Sequence, residues 1–185
     1  MMDAVATGMA SIAFMSRVVI GGTFAFSAIS KLRAPAEFVQ AVRGFRVVPE
    51  RFARRLAVVI TVLEAVVAGA LLGPAGSVWA GLTLASLLLI AFGAGIVRVL
   101  RRRVTTSCRC FGRSSAPVSV LHLWRNGFLL VIALGGLSCA FTGVPPRPDD
   151  VAVTALLTGV GVVVVGLVVA LEDLRYLFAA PSARP

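Results

Sequence analysis

The sequence predicts an all-α fold, a polytopic integral membrane helix bundle, and two observations carry that prediction. Of its 185 residues 58% are hydrophobic and 14% charged, with a mean hydropathy of +0.96, whereas a soluble domain carries about 45–50% apolar and about 25% charged residues. The apolar residues also gather in continuous runs of helix length with no period-2 alternation, which argues against a β-barrel. Crossing a hydrocarbon core about 30 Å thick takes roughly 20 such residues at about 1.5 Å of helical rise each.

Five segments meet that length, at about 9–30, 56–72, 78–97, 118–141 and 151–171. They predict a four-helix core plus a fifth transmembrane helix in a single domain covering 1–185, with short connections and no internal repeat. The first segment reads as a retained helix and not a secretory signal, since it is longer than an h-region, contains Arg17 and lacks a basic start and a small-residue cleavage site. The third and fifth hold no charge. Arg17 in the first, Glu64 in the second, and His122, Arg125 and Asn126 in the fourth are therefore the candidates for function.

Net charge is +10, and all but one of the eighteen basic residues are Arg. In a soluble chain that balance suggests nucleic acid. Here its distribution speaks to topology and no nucleic-acid partner is expected, because Lys and Arg concentrate in cytoplasmic loops. Lys31, Arg33, Arg43, Arg46, Arg51, Arg54 and Arg55 follow the first helix, and Arg98, Arg101, Arg102, Arg103, Arg109 and Arg113 follow the third, thirteen of the eighteen. Residues 73–77 carry no charge, and in 142–150 Arg147 is outweighed by Asp149 and Asp150. The expected topology has the N-terminus outside and both basic loops and the C-terminus inside. Residues 35–55, with Phe38, Val39, Val42, Phe45, Val47 and Val48 among arginines, suit either a short amphipathic interfacial segment broken near Pro49 or a solvated basic loop held by anionic headgroups.

Ionisable groups cost about 2.5–3.5 kcal/mol each at the centre of a spanning helix, so they turn inward and find partners. Arg17 and Glu64 are natural partners for each other, lying roughly 21 and 14 Å of helical rise from the basic loop they share. Their pairing has a structural reading, an ion pair that fixes register, and a functional one, with Glu64 handling protons or contacting a quinone. His122 shares a helix face with Arg125 and Asn126 at i+3 and i+4. That face could cap carbonyls, bind lipid headgroups or stabilise a thiolate in the preceding loop, although a lone histidine in a span is more often structural. Gly21, Gly22, Gly69, Gly73, Gly93 and Gly95 allow close helix approach, Gly69 and Gly73 forming a GxxxG that implies packing.

The one constellation with reactive chemistry is Cys108-Arg109-Cys110-Phe111-Gly112. Two thiols one residue apart close only a small ring, and strained disulfides are readily reduced, so the pair reads as a labile shuttle and not a staple. Arg109, Arg113 and Arg103 surround it with positive charge, which favours the thiolate. Cys139, roughly 31 Å of rise from residue 118, falls at the opposite membrane face, as a buried small hydrophobe or as an outer thiol open to a partner. No metal site is expected, because Cys108, Cys110 and His122 leave a zinc tetrahedron one ligand short.

Taken in order, these pieces resemble the MauE (methylamine-utilisation) branch of the MauE/DoxX-like family of redox-associated membrane proteins. The match covers about 12–130. It runs through Arg17, Gly21-Gly22, Phe24, Ser27 and Lys31-Leu32, then Phe45-Arg46-Val47-Val48-Pro49, Glu64, Cys108-x-Cys110-Phe111-Gly112 and Arg125-Asn126. The family usually has Gly between the two cysteines, where this chain has Arg109. The fifth segment lies outside the match. The resemblance implies a bacterial plasma-membrane protein that supports thiol-disulfide redox maturation of exported proteins. Catalytic Cys108 and Cys110 would act there beside a thioredoxin-like partner, with Arg17, Lys31, Glu64, Arg109, Phe111, Gly112, His122, Arg125 and Asn126 in support. Its client in the family is the disulfide-rich small subunit of methylamine dehydrogenase. A quinone is the one cofactor this leaves open.

Disulfide formation belongs outside the cytoplasm, while the charge rule puts Cys108 and Cys110 inside. Either the chain conducts reducing equivalents across the membrane, as a thiol-disulfide oxidoreductase or electron conduit discharging through Cys139 or a partner, or the bundle is inverted. The alternative from another class is a non-catalytic scaffold holding a partner protein or lipid. A transporter finds no support in paired broken helices.

Overall fold

A computed structural model describes residues 2–45, 48–73, 78–102, 119–143 and 148–178, with side chains from 5 to 170. These residues form six helices: α1 (Met2–Arg33), α2 (Pro35–Phe45), α3 (Glu50–Leu72), α4 (Val78–Arg101), α5 (Val120–Phe141) and α6 (Val151–Phe178). All but α2 are long and apolar enough to span a bilayer, making this a multi-pass membrane protein.

The helices outrun the apolar segments that announce them. Arg and Lys are good helix formers, so a helix continues past its apolar stretch until proline, glycine or a cap stops it. α1 ends just before Pro35, and α3 starts directly after Pro49. At the head of α6 the Asp150 carboxylate accepts the Ala152 N–H at 2.7 Å and the Val153 N–H at 3.3 Å. Consequently Lys31, Arg33, Arg51, Arg54, Arg55, Arg98 and Arg101 lie on helix ends, where the sequence suggested loops.

Between the two readings of 35–55, helix α2 decides for an amphipathic element. It buries Phe38 and Val42 against Ala53 and Ala57 of α3, buries Ala41 as well, and leaves Arg43 exposed. The helix stops at Phe45, four residues short of Pro49.

α1, α3, α4 and α5 close a ring, α1 on α3, α3 on α4, α4 on α5 and α5 back on α1, while α6 packs against α1 from outside. This is the expected four-helix core with a fifth span. Ile20, Leu71, Leu82 and Leu129 fill its centre, none more than 2% exposed. The helices meet where side chains are small. A Cβ on Gly136 would stand 2.4 Å from the Ser16 Cβ, and one on Gly161 would stand 2.6 Å from Val18, so glycine alone permits these contacts. Gly69 departs from the packing expected of its GxxxG, since an added Cβ there meets nothing within 4 Å. Val62 and Val66 of α3, Trp124 and Val131 of α5 and Val162 and Val163 of α6 are turned outward, as lipid-facing side chains must be.

Candidate functional site

The expected Arg17–Glu64 pair does not form; Glu64 takes Lys31 instead. Lys31 Nζ lies 2.7 Å from both carboxylate oxygens, and both side chains are 2% exposed. Ser27, one turn before Lys31 on the same face of α1, bridges them. Its hydroxyl accepts from Lys31 Nζ at 2.5 Å and donates to Glu64 Oε1 at 3.1 Å. The Phe38 ring of α2 lies 4.9 Å from the ammonium, adding a cation–π contact that ties the interfacial helix to the pair.

Arg17 is separated from this cluster by distance along α1. It precedes Ser27 by ten residues, about 15 Å of rise, and meets α3 near its end, not at Glu64. There its Nε donates to the Leu71 carbonyl and an Nη to the Gly73 carbonyl. These oxygens belong to the last turn of α3, which has no further N–H to offer them, and a cation there also complements the helix dipole.

α5 supplies the opposite wall. Ser119, the residue before the helix, gives its backbone N–H to His122 Nδ1 at 3.2 Å, with its hydroxyl at the same distance. Nδ1 is thus the acceptor for that N–H. His122 is 3% exposed and Arg125 6%. Asn126 Nδ2 donates to the Leu89 carbonyl of α4 at 2.7 Å, reaching it past Gly93. The sequence grouped His122, Arg125 and Asn126 on one face; the structure turns that face inward, with His122 and Arg125 buried.

Between the walls lies a cavity of about 30 Å³, lined on the polar side by Thr23, Ser27, Glu64, His122, Arg125 and Asn126 and on the apolar side by Phe24, Leu89, Phe92, Ile96 and Leu129. Sites for drug-sized ligands run to about 300–1,000 Å³, so a quinone ring has no room in this cavity. Thr23 is 1% exposed, and its hydroxyl has no hydrogen-bond partner among the described residues.

Three polar residues near Glu64 and His122, namely Thr23, Ser27 and Ser119, were not singled out by sequence as parts of a site. The signal available was spacing: Thr23, Ser27 and Lys31 recur every four residues, a polar stripe down one face of α1. Cys108, Arg109, Cys110, Phe111 and Gly112 lie outside the described residues. Cys139 is free and 7% exposed, close to the end of α5 away from His122.

A family model described as methylamine utilisation protein MauE matches residues 9–139. The chain belongs to the MauE family. The proteins called methylamine utilization protein MauE from Paracoccus denitrificans and Methylophilus methylotrophus are similar to it. The first is 38% identical over 144 residues, 77% of either chain. The second is 28% identical over 171 residues, 92% of this chain and 88% of its own. No solved structure matches. The MauE match takes in α1 to α5, hence every helix of the polar cluster, and stops before α6.

Proposed function

We propose that this MauE family member serves methylamine utilisation by supporting thiol-disulfide maturation of an exported protein. The observation that carries the reading is the Cys108-x-Cys110 pair, set among arginines in a chain of this family. The pair passes between dithiol and disulfide by exchange with a thioredoxin-like partner. Each disulfide formed on one side of that exchange is matched by one reduced on the other. The client is an exported protein with many disulfides, of the kind the small subunit of methylamine dehydrogenase represents.

The charge rule favours the Cys108 and Cys110 loop in the cytoplasm and α1 entering from outside, in a bacterial plasma membrane. Reducing equivalents then cross the membrane, and the burial of Cys139 favours their discharge through a partner instead of through that thiol. Membrane-impermeant maleimide on intact cells tests the orientation, with labelling of Cys108 or Cys110 overturning it.

The chemistry is tested by replacing Cys108 and Cys110 with Ser and following client disulfides by thiol-trapping mobility shift. Loss of client oxidation is expected. Unchanged oxidation would leave a scaffold that holds a partner or lipid, and would end the redox reading.

A further inference from the structure

An open groove lies on the outside of the bundle, where α6 rests on α1 beside the end of α3. Its volume is about 460 Å³, and Arg17, Leu72, Thr154, Thr158, Val162 and Val165 are among the residues that line it. That volume falls in the range of about 300–1,000 Å³ typical of small-ligand sites.

The two helices set the order of its chemistry. A Cβ on Gly161 would stand 2.6 Å from Val18, and one on Gly22 would stand 3.0 Å from Val165. The same step of four residues on α1 and on α6 separates these contacts, so the helices run parallel and Arg17 stands between the levels of Thr158 and Val162. α6 enters the membrane at its first residues. From the bilayer centre outward the groove is therefore apolar at Val165 and Val162, cationic at Arg17, and polar at Thr158 and Thr154. Asp150 follows one turn further out on the same face of α6. The two hydroxyls have already spent their hydrogens. Thr158 donates to the Thr154 carbonyl at 2.8 Å and Thr154 to the Pro148 carbonyl at 3.2 Å, which leaves only lone pairs to face a ligand. Lone pairs repel a phosphate and suit an ammonium.

We propose that this groove binds a zwitterionic phospholipid, phosphatidylethanolamine. Its phosphate sits on Arg17, its ammonium at Thr158, Thr154 and Asp150, and an acyl chain runs along Val162 and Val165. Chain, phosphate and ammonium follow one another outward in a bilayer, the same order as the apolar, cationic and acceptor groups of the groove. A guanidinium has five N–H groups and serves a phosphate while holding the Leu71 and Gly73 carbonyls. An anionic lipid such as phosphatidylglycerol satisfies Arg17 equally and brings no cation to Asp150. The bound lipid fills the space between α6 and the end of α3, joining a helix that packs chiefly on α1 to the rest of the bundle.

The test is native mass spectrometry of the full chain released from vesicles of equal parts phosphatidylethanolamine and phosphatidylglycerol. One phosphatidylethanolamine is expected to stay bound, retained several-fold more than phosphatidylglycerol. Val162→Trp fills the groove from an exposed position and is expected to cut retention several-fold, while Val163→Trp, exposed on α6 but outside the groove, leaves it unchanged. Asp150→Asn, which keeps the helix cap, and Thr158→Val are each expected to weaken the preference for phosphatidylethanolamine. No retained lipid, equal retention of the two lipids by the natural chain, or retention indifferent to Val162→Trp would overturn the proposal. These variants leave Arg17 and its carbonyl bonds in place, so the fold is kept. None touches Cys108 or Cys110, so the outcome is independent of the thiol-disulfide reading.

Discussion

Asn126 reaches the Leu89 carbonyl because residue 93 is glycine: a Cβ at that position would stand 3.1 Å from Asn126 Nδ2. Leu89 and Gly93 are one helical turn apart on α4, so the missing side chain uncovers the carbonyl just above it to a donor on α5. Hydrogen bonds between spanning helices average about 0.6 kcal/mol and reach about 1.7 kcal/mol. Asn126→Leu is expected to lose an amount in that range. Gly93→Ala is expected to be destabilising in the natural chain and nearly neutral alongside Asn126→Leu. A double-mutant cycle on unfolding free energy in bicelles measures the coupling, and additive effects would show that the two residues act separately.

The Lys31–Glu64 pair is enclosed on all sides, so removing either partner strands a charge. Lys31→Met or Glu64→Gln alone is expected to cost about 3–5 kcal/mol, and the double variant much less than the sum. Expression level and thermal stability in detergent provide the comparison. A double variant no better than the singles would assign the loss to packing and not to charge.

Steric predictions separate glycines that meet a neighbour from one that does not. Gly136→Ala drives a methyl into Ser16 and is expected to cost about 1–3 kcal/mol. Gly69→Ala, with open space around it, is expected to gain about 0.5–1 kcal/mol by its better helix propensity. Equal effects at the two sites, measured by the same bicelle unfolding, would contradict the helix contacts described.

Arg17 secures the end of α3 through two carbonyls at once, a task suited to a planar fork of donors. Arg17→Met is expected to cost about 1–3 kcal/mol, and Arg17→Lys to recover only part of that. Full recovery by lysine would mean that charge alone is needed.

Cys139 is expected to resist maleimide in folded protein and to react on denaturation, since only 7% of it is exposed. Rapid labelling of the folded chain would return it to consideration as an exchanging thiol.

The membrane class, the five spans and the inward turn of Glu64, His122, Arg125 and Asn126 were legible in the sequence. The reason is that charge within an apolar run is costly and announces itself in one dimension. Spacing also placed His122 with Arg125 and Asn126 on a common face, because a helix fixes that relation locally. Which cation meets Glu64 was not legible. Arg17 and Lys31 sit on the same helix and both carry charge, and the choice depends on the height at which α1 crosses α3. Gly21 against Leu71 and Leu72 is among the contacts between α1 and α3 at that crossing, and it joins residues remote in sequence. Composition and periodicity thus determined what this chain is made of and where it resides; only the packing of four helices decided that Lys31 and Ser27 would meet Glu64, and that Ser27 and Glu64 would line one cavity with His122.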